Sequence, residues 1–251
     1  MSQVYKMLRS RIIPCLLIDN GAVVKTEKFS NPKYIGDPLN AVKIFNEKKV
    51  DELIVLDISC TRDNKPPDEK LISRLASECR MPLCYGGGIK NIEQYENIIS
   101  LGVEKIAVGS LAVTEPKLVS TASSRIGSQS IIVVIDIKRK GFSLKQEVVI
   151  NNGNLSTNLD PVTFAKKMVE LGAGEIVLNF VDRDGTMVGY DLDYIHKIKK
   201  EISVPLTVLG GANSLEDIKS LVNNFKIIGA AAGSIFVFKG KYRAVLINYP
   251  S

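Results

Sequence analysis

The stretch "PLCYGGG" at residues 82–88 returns as "PLTVLGG" at 205–211. Two further pairs repeat at nearly the same distance. "ELIVLD" at 52–57 is matched by "EIVLNF" at 175–180, and "VGSLAV" at 108–113 by "AGSIFV" at 232–237. The offset is about 123 residues each time, half of a 251-residue chain. A self-match at one constant offset marks a duplicated unit. Most copied segments are apolar runs that reach glycine, as a buried strand does on entering a tight turn.

Around these repeats, apolar β-branched runs occur at 12–18, 53–58, 82–86, 105–109, 131–137, 175–181, 205–209 and 227–231. Amphipathic stretches separate them, among them "NAVKIFNEKKV" (40–50), "DEKLISRLASEC" (68–79), "NIEQYENIISLG" (91–102), "DPVTFAKKMVELG" (160–172) and "SLEDIKSLVNNF" (214–225). Several start on Asp, Asn or Ser or end on Gly, as capped helices do. Strands that are apolar almost throughout predict a parallel sheet buried on both faces. Eight such βα units in this length predict a single (β/α)8 TIM barrel over 1–251, an α/β fold with half-barrels of about 1–125 and 126–251. A doubly wound open sheet is the alternative. It normally carries G-x-G-x-x-G after its first strand, and none stands there.

Hydrophobic residues make up 45% and charged residues 24%, which places the chain among ordinary globular proteins. No apolar run reaches the ~18 residues of a membrane span. "MSQVYKMLRSR" lacks an apolar signal core, so a cytoplasmic location is expected. The cysteines, Cys15, Cys60, Cys79 and Cys84, form no C-x-x-C pair, and His196 is the sole histidine. Neither a disulfide framework nor a zinc site is expected, and nothing calls for a cofactor. The net charge of +6 is spread along the chain without interleaved aromatics, which fits a phosphorylated small molecule better than nucleic acid.

Barrel enzymes work at the C-terminal ends of their strands. There the third and fourth strands offer Gly87, Gly88, Gly109 and Ser110, and the seventh and eighth offer Gly210, Gly211, Gly233 and Ser234. Glycine lets backbone N–H groups approach an anion closely, so each set is a candidate phosphate cradle. Two sets, one per half, suggest a substrate with two phosphates; the plain alternative is tight βα turns. Acids at the mouth are Asp57, Asp136, Asp182 and Asp184, for which capping competes with acid/base work. Lys25 stands on a long first βα loop, of the kind that often forms a lid. The halves differ at one point. "SIIVVIDIKRKG" (130–141) has Asp136 in its apolar run, whereas "RIIPCLLIDNG" (11–21) has Leu17 and meets an acid only at Asp19.

"RIIPCLLIDNGAVVKT", "VDELIVLDI", "YGGGI", "GVEKIAVGS", "GSQSIIVVIDIKR", "GAGEIVLNFVDRDGTMVGYD" and "LGGA" resemble, in order and spacing, the cyclase (HisF) subunit of imidazole glycerol phosphate synthase. The resemblance implies a heterodimer with a glutaminase (HisH-like) subunit docked on the barrel bottom. Ammonia then passes through the barrel to a bis-phosphorylated substrate at the top, in a lyase-type synthase of histidine biosynthesis. It implies an ammonia gate of Arg11, Glu52, Lys105 and Glu175 at the start of alternate strands. It also assigns catalytic roles to Asp136 and Lys25. The family's second catalytic aspartate falls on Leu17, which cannot move a proton. An Asn of the fourth-strand motif falls on Gly109, and a Ser of the seventh on Leu209. "IPCLL", "YGGGI" and the tail "FVFKGKYRAVLINYP" resemble a divergent branch that delivers ammonia for bacterial surface-polysaccharide (lipopolysaccharide) synthesis. That branch works with a glutaminase and a sugar amidotransferase, which turns an acetamido into an acetamidino group. The preferred expectation is this glutamine amidotransferase-type complex, with little activity of the barrel alone. The alternative is a genuine cyclase subunit. The third reading is a non-catalytic anion-binding scaffold.

Overall fold

The computed structural model describes residues 9–141 and 145–249. Residues 1–8, most of the "MSQVYKMLRSR" stretch, lie outside the described residues. Eight parallel strands form the barrel. They are β1 (Arg11–Asp19), β2 (Leu53–Asp57), β3 (Leu83–Gly86), β4 (Lys105–Val108), β5 (Ile131–Arg139), β6 (Glu175–Phe180), β7 (Leu206–Leu209) and β8 (Gly229–Ala232). Each pairs in parallel with the next. The sheet closes where Arg11 of β1 meets Gly229 of β8. The sequence-based barrel is therefore the observed fold. No helix among the described residues is long and apolar enough to cross a membrane.

Strand alternation splits the apolar residues into two cores. One face packs outward on the helices, with Ile18, Leu53, Val55, Ile106, Val133, Leu178 and Val208 buried there. The other fills the lumen with Ile13, Cys15, Ile54, Cys84, Ala107, Ile132, Val177, Leu209 and Ala231. Several lumen side chains are small, as a narrow barrel axis demands. The helices are capped where the residue types require it. Asp37, Asp68, Asn91, Asp160 and Ser214 each accept from the backbone N–H three residues on.

The first strand of each half is followed by a hairpin instead of a plain loop. After β1 it is Ala22–Glu27 against Ser30–Gly36, and after β5 it is Gln146–Ile150 against Leu155–Ser156. The two stand at matching positions of the repeat. The eighth unit departs from a full βα unit, because β8 leads only into the four-residue helix Ser234–Val237. A tail takes the place of the missing turns. It forms a small hairpin, Phe238–Lys239 against Ala244–Val245, and then runs back along Phe236 and Val237. Its Tyr249 packs on Phe236 at 5.3 Å between ring centroids and donates to the Ile12 carbonyl at 3.1 Å.

Tyr249 therefore ties the tail across the seam between the last strand and the first. Tyr249→Phe should lower stability by about 1 kcal/mol through the lost hydrogen bond. Tyr249→Ala should cost more, because the ring contact goes as well. Urea unfolding of both variants measures this; equal stability of all three proteins would mean the seam does not need the tail.

Candidate functional site

Two polar layers bracket the apolar lumen. At the floor, Arg11 donates to Glu52 and reaches Glu175 Oε1 at 2.7 Å. Lys105 Nζ closes the circle at 2.8 Å from Glu52 Oε1 and 3.0 Å from Glu175 Oε2. Burial works against charge on Arg11 and Lys105, but the two carboxylates outweigh it and hold both cations protonated. Burial alone would raise the Glu175 carboxyl; Arg11 and Lys105 instead pull it below its ordinary value. The expected set is thus assembled, with one correction. Its members come from strands one, two, four and six rather than from alternate strands only, because Arg11 and Glu52 are neighbours across β1 and β2.

The sequence reading missed a fifth member. Thr207 of β7, fully buried, donates from Oγ1 to Glu175 Oε1 at 2.5 Å and accepts from Arg11 at 3.3 Å. It reads as an ordinary β-former. The available signal was Gly229 opposite, where a Cβ would stand 1.9 Å from Thr207 Oγ1.

At the mouth, Leu17, Leu56 and Val134 cap the lumen cluster and face a cavity of about 120 Å³. Asp136 and Asn179, partners in the β5–β6 register, stand above them in that cavity. Asn179 Nδ2 donates to Asp136 Oδ1 at 2.8 Å, while Asn179 Oδ1 is buried without a partner. Burial pushes the Asp136 carboxyl up to about 7; the Asn179 bond opposes this and the charge of Asp184 adds to it. A carboxyl near 7 can hold or give up a proton at neutral pH. Leu17 faces it across the same cavity and can do neither. Asp19 does not replace the missing acid, being held by Arg62 at 3.0 Å.

Lys25 does not ride on an open lid in this structure. It is buried, with Nζ 2.6 Å from Asp184 Oδ1 and 2.8 Å from the Thr26 carbonyl. Asp184 Oδ2 accepts from Thr26 Oγ1 at 2.8 Å, so the hairpin after β1 is clamped onto the loop after β6. A buried ammonium must be paired, and Asp184 is the acid within reach. Asp57 has the capping role weighed for it, accepting from Cys60 N at 3.0 Å and Ser59 Oγ at 2.7 Å. Asp182 accepts from Arg139 N at 2.8 Å.

The two glycine sets differ in access. Gly87, Gly88, Gly109 and Ser110 line one open pocket of about 240 Å³ together with Asn64 and Lys90. Gly210, Gly211, Gly233 and Ser234 are all buried. Gly211 is packed on Gly189, whose N–H donates to the Gly211 carbonyl at 2.7 Å. The stem of Lys25 lies on Gly233, 2.9 Å from where a Cβ would be. Ser234 Oγ, buried beside it, has no hydrogen-bond partner. Cys15 and Cys84 are free and buried in the lumen, where desolvation pushes the Cys15 thiol up to about 12.

A polar floor, an apolar lumen and an acid-bearing mouth define a (β/α)8 barrel whose candidate site lies at the C-terminal ends of its strands. The sequence profile of the "Histidine biosynthesis protein" family matches residues 11–243. A Leptospira interrogans protein named "Putative imidazole glycerol phosphate synthase subunit HisF" is 57% identical over 245 residues, 98% of this chain and 96% of the relative. A Vibrio vulnificus protein named "Putative imidazole glycerol phosphate synthase subunit hisF3" is 56% identical over 99% of this chain and 96% of its own length. "Imidazole glycerol phosphate synthase subunit HisF" of Clostridium botulinum is 38% identical over 93% and 92%. The chain belongs to the histidine biosynthesis protein family, in a divergent HisF-like branch.

Asp136 carries a testable pH signature. A carboxyl raised by folding from 3.8 to about 7 adds most to stability below about pH 4, where it is protonated in both states. That contribution fades as pH rises toward 7. Asp136→Asn keeps an acceptor for Asn179 and removes the titration. It should be about 1–3 kcal/mol more stable than the parent at pH 8, with the gap closing below pH 5. Denaturant unfolding across that range measures it; parallel pH profiles would exclude a raised Asp136.

Proposed function

We propose that this chain is the barrel subunit of a glutamine-dependent complex that takes ammonia from a glutaminase at the floor and releases it at the mouth. The acceptor is a sugar amidotransferase that makes an acetamidino group for surface polysaccharide. The observation that carries this reading is the contrast between the ends: a complete charged ring below, and Leu17 where family cyclases use an acid above. The lumen between them is apolar, which favours neutral ammonia over ammonium, since an unpaired charge there is costly. Within the reading, Arg11, Glu52, Lys105, Glu175 and Thr207 form the gate. Docking of the glutaminase opens one of its ion pairs, and Lys105, held by two carboxylates, is the member that swings. Leu17, Leu56 and Val134 form a dry collar at the exit. Asp136, poised near neutrality, takes up or returns a proton as ammonia leaves. A cytoplasmic site of action follows from the glutaminase partnership.

The second reading, a histidine-pathway cyclase, is favoured by Asp136 and by the open glycine pocket at Gly87, Gly88, Gly109 and Ser110. It requires Lys25 to leave Asp184 and uncover Gly233 and Ser234, and Gly210 and Gly211 to be freed from Phe180 and Gly189, for a second phosphate. It also requires the reaction to proceed without the first-strand acid, one such group being worth about 10²–10⁴ in rate.

Ammonia-dependent turnover of the bis-phosphorylated cyclase substrate separates the two. The wild-type chain should be at least about 10²-fold slower than an ordinary cyclase. Leu17→Asp should recover rate only if both glycine sets still hold the substrate. Wild-type turnover at the ordinary cyclase level would reject the polysaccharide reading. In a separate assay with the cognate glutaminase, Lys105→Glu should abolish stimulation. It should also cost about 3–5 kcal/mol, since it leaves carboxylates facing one another. A chain that neither binds nor stimulates any glutaminase would reject both readings.

A further inference from the structure

The tail that stands in for the eighth helix also builds a surface at the barrel mouth. Arg243 pairs with Glu27 of the first hairpin at 2.9 Å and donates to the Gly185 carbonyl. Lys33 of that hairpin donates to the Arg243 carbonyl at 2.9 Å. Lys33 and Arg243 both flank the Phe238 ring, at 4.9 and 5.6 Å from its centroid. Between tail and hairpin lies a cleft of about 450 Å³ whose lining includes Glu27, Lys28, Ser30, Lys33, Phe238 and Arg243. Thr26 lines both this cleft and the Asp136 cavity, so the two are neighbours across one residue.

Charge here is predominantly basic, Glu27 being the one acid that lines the cleft and already paired with Arg243. The tail from Phe238 to Leu246 carries Lys239, Lys241 and Arg243 and no acid. Lys28, Lys33, Lys239 and Lys241 are exposed, and none forms an ion pair among the described residues. Beside these cations the hairpin presents apolar area: Tyr242 is 84% exposed, Leu246 45% and Val245 42%. A small anion would use the cleft but not this flank. Unpaired cations around exposed aromatic and aliphatic side chains are the surface that an acidic protein segment complements.

We propose that the tail hairpin and the first hairpin together form the docking face for the protein that accepts the ammonia, which presents an acidic segment with a carboxylate seated between Lys28, Lys33 and Arg243. This rests on the reading that ammonia leaves the mouth for a separate acceptor. Tyr242 packs on the acceptor beside that carboxylate, and the contact holds the acceptor's reaction centre over the exit. Because Arg243 is tied to Glu27 and Gly185, docking also bears on the hairpin that carries Lys25.

The test uses the full chain with a glutaminase and a sugar amidotransferase from the same organism. Lys28→Glu/Lys241→Glu and Tyr242→Ala alter exposed groups and leave the floor untouched. Wild type should bind the amidotransferase in a salt-sensitive manner, and each variant at least tenfold more weakly. Glutamine-driven amidination should fall in step. Amidination driven by ammonium chloride, and stimulation of the glutaminase, should not change. Variants that bind and transfer like wild type would overturn the docking face and leave the proposed function standing. A wild-type chain that neither binds the amidotransferase nor supports glutamine-driven amidination would overturn both.

Discussion

Glu52 and Glu175 lie almost wholly buried at the floor of the barrel, and the rest of the structure is arranged so that they can be charged there. Two carboxylates in one small space repel each other, and burial adds to the cost. Arg11 and Lys105 answer both, each touching both acids, and Thr207 takes up a remaining lone pair of Glu175. Such a ring is no bargain in stability compared with an apolar floor of the same shape. In the proposed gate, one pair opens while the others hold, which a packed hydrocarbon layer could not do. The glycine at 229, required by the Thr207 hydroxyl, shows how far neighbouring positions are committed to the ring.

The mouth follows a different logic. A polar cluster remains, with Asp136, Asn179, Lys25 and Asp184, but its members are shared between two separate sites. Asp136 faces the cavity with Asn179 as its hydrogen-bond donor. Lys25 turns away from that cavity, because Asp184 and the Thr26 carbonyl offer a buried ammonium what an apolar collar cannot. The same turn lays the lysine stem on Gly233, one member of the second glycine set. One ion pair thus fixes where the hairpin sits and covers Gly233, while Gly210 and Gly211 are buried by Phe180 and Gly189.

The tail is a third consequence of local chemistry. "KGKYRA" after Phe238 has a glycine with positive φ and dense cations, and it makes a hairpin rather than a helix. What a full eighth helix would cover is covered instead by Phe236, Tyr249 and the return of the chain. The cost of that exchange is an exposed, basic hairpin tip at the mouth, and an exposed tip is available for binding.

The sequence by itself determined the barrel. Near-continuous apolar strands, capped amphipathic helices and a half-chain repeat all state one fold, because burial on both faces and helical periodicity are written in residue order. The floor residues and the departure at Leu17 came from the resemblance to the cyclase family, carried by motifs that keep their order along the chain. Tertiary structure alone decided the remainder. Thr207 joined the ring because β7 happens to face Glu175 and Gly229 leaves room for its hydroxyl. Lys25 turned away from the Asp136 cavity because Asp184, 159 residues away, holds its Nζ at 2.6 Å. Two glycine sets alike in sequence became one open and one buried, for Gly210 and Gly211 pack on the backbone of Phe180 and Gly189, and Gly233 lies under the stem of Lys25. Periodicity and residue type are local properties, and they fix elements. The partner a buried charge finds is a property of the closed barrel, and only the fold brings it within reach.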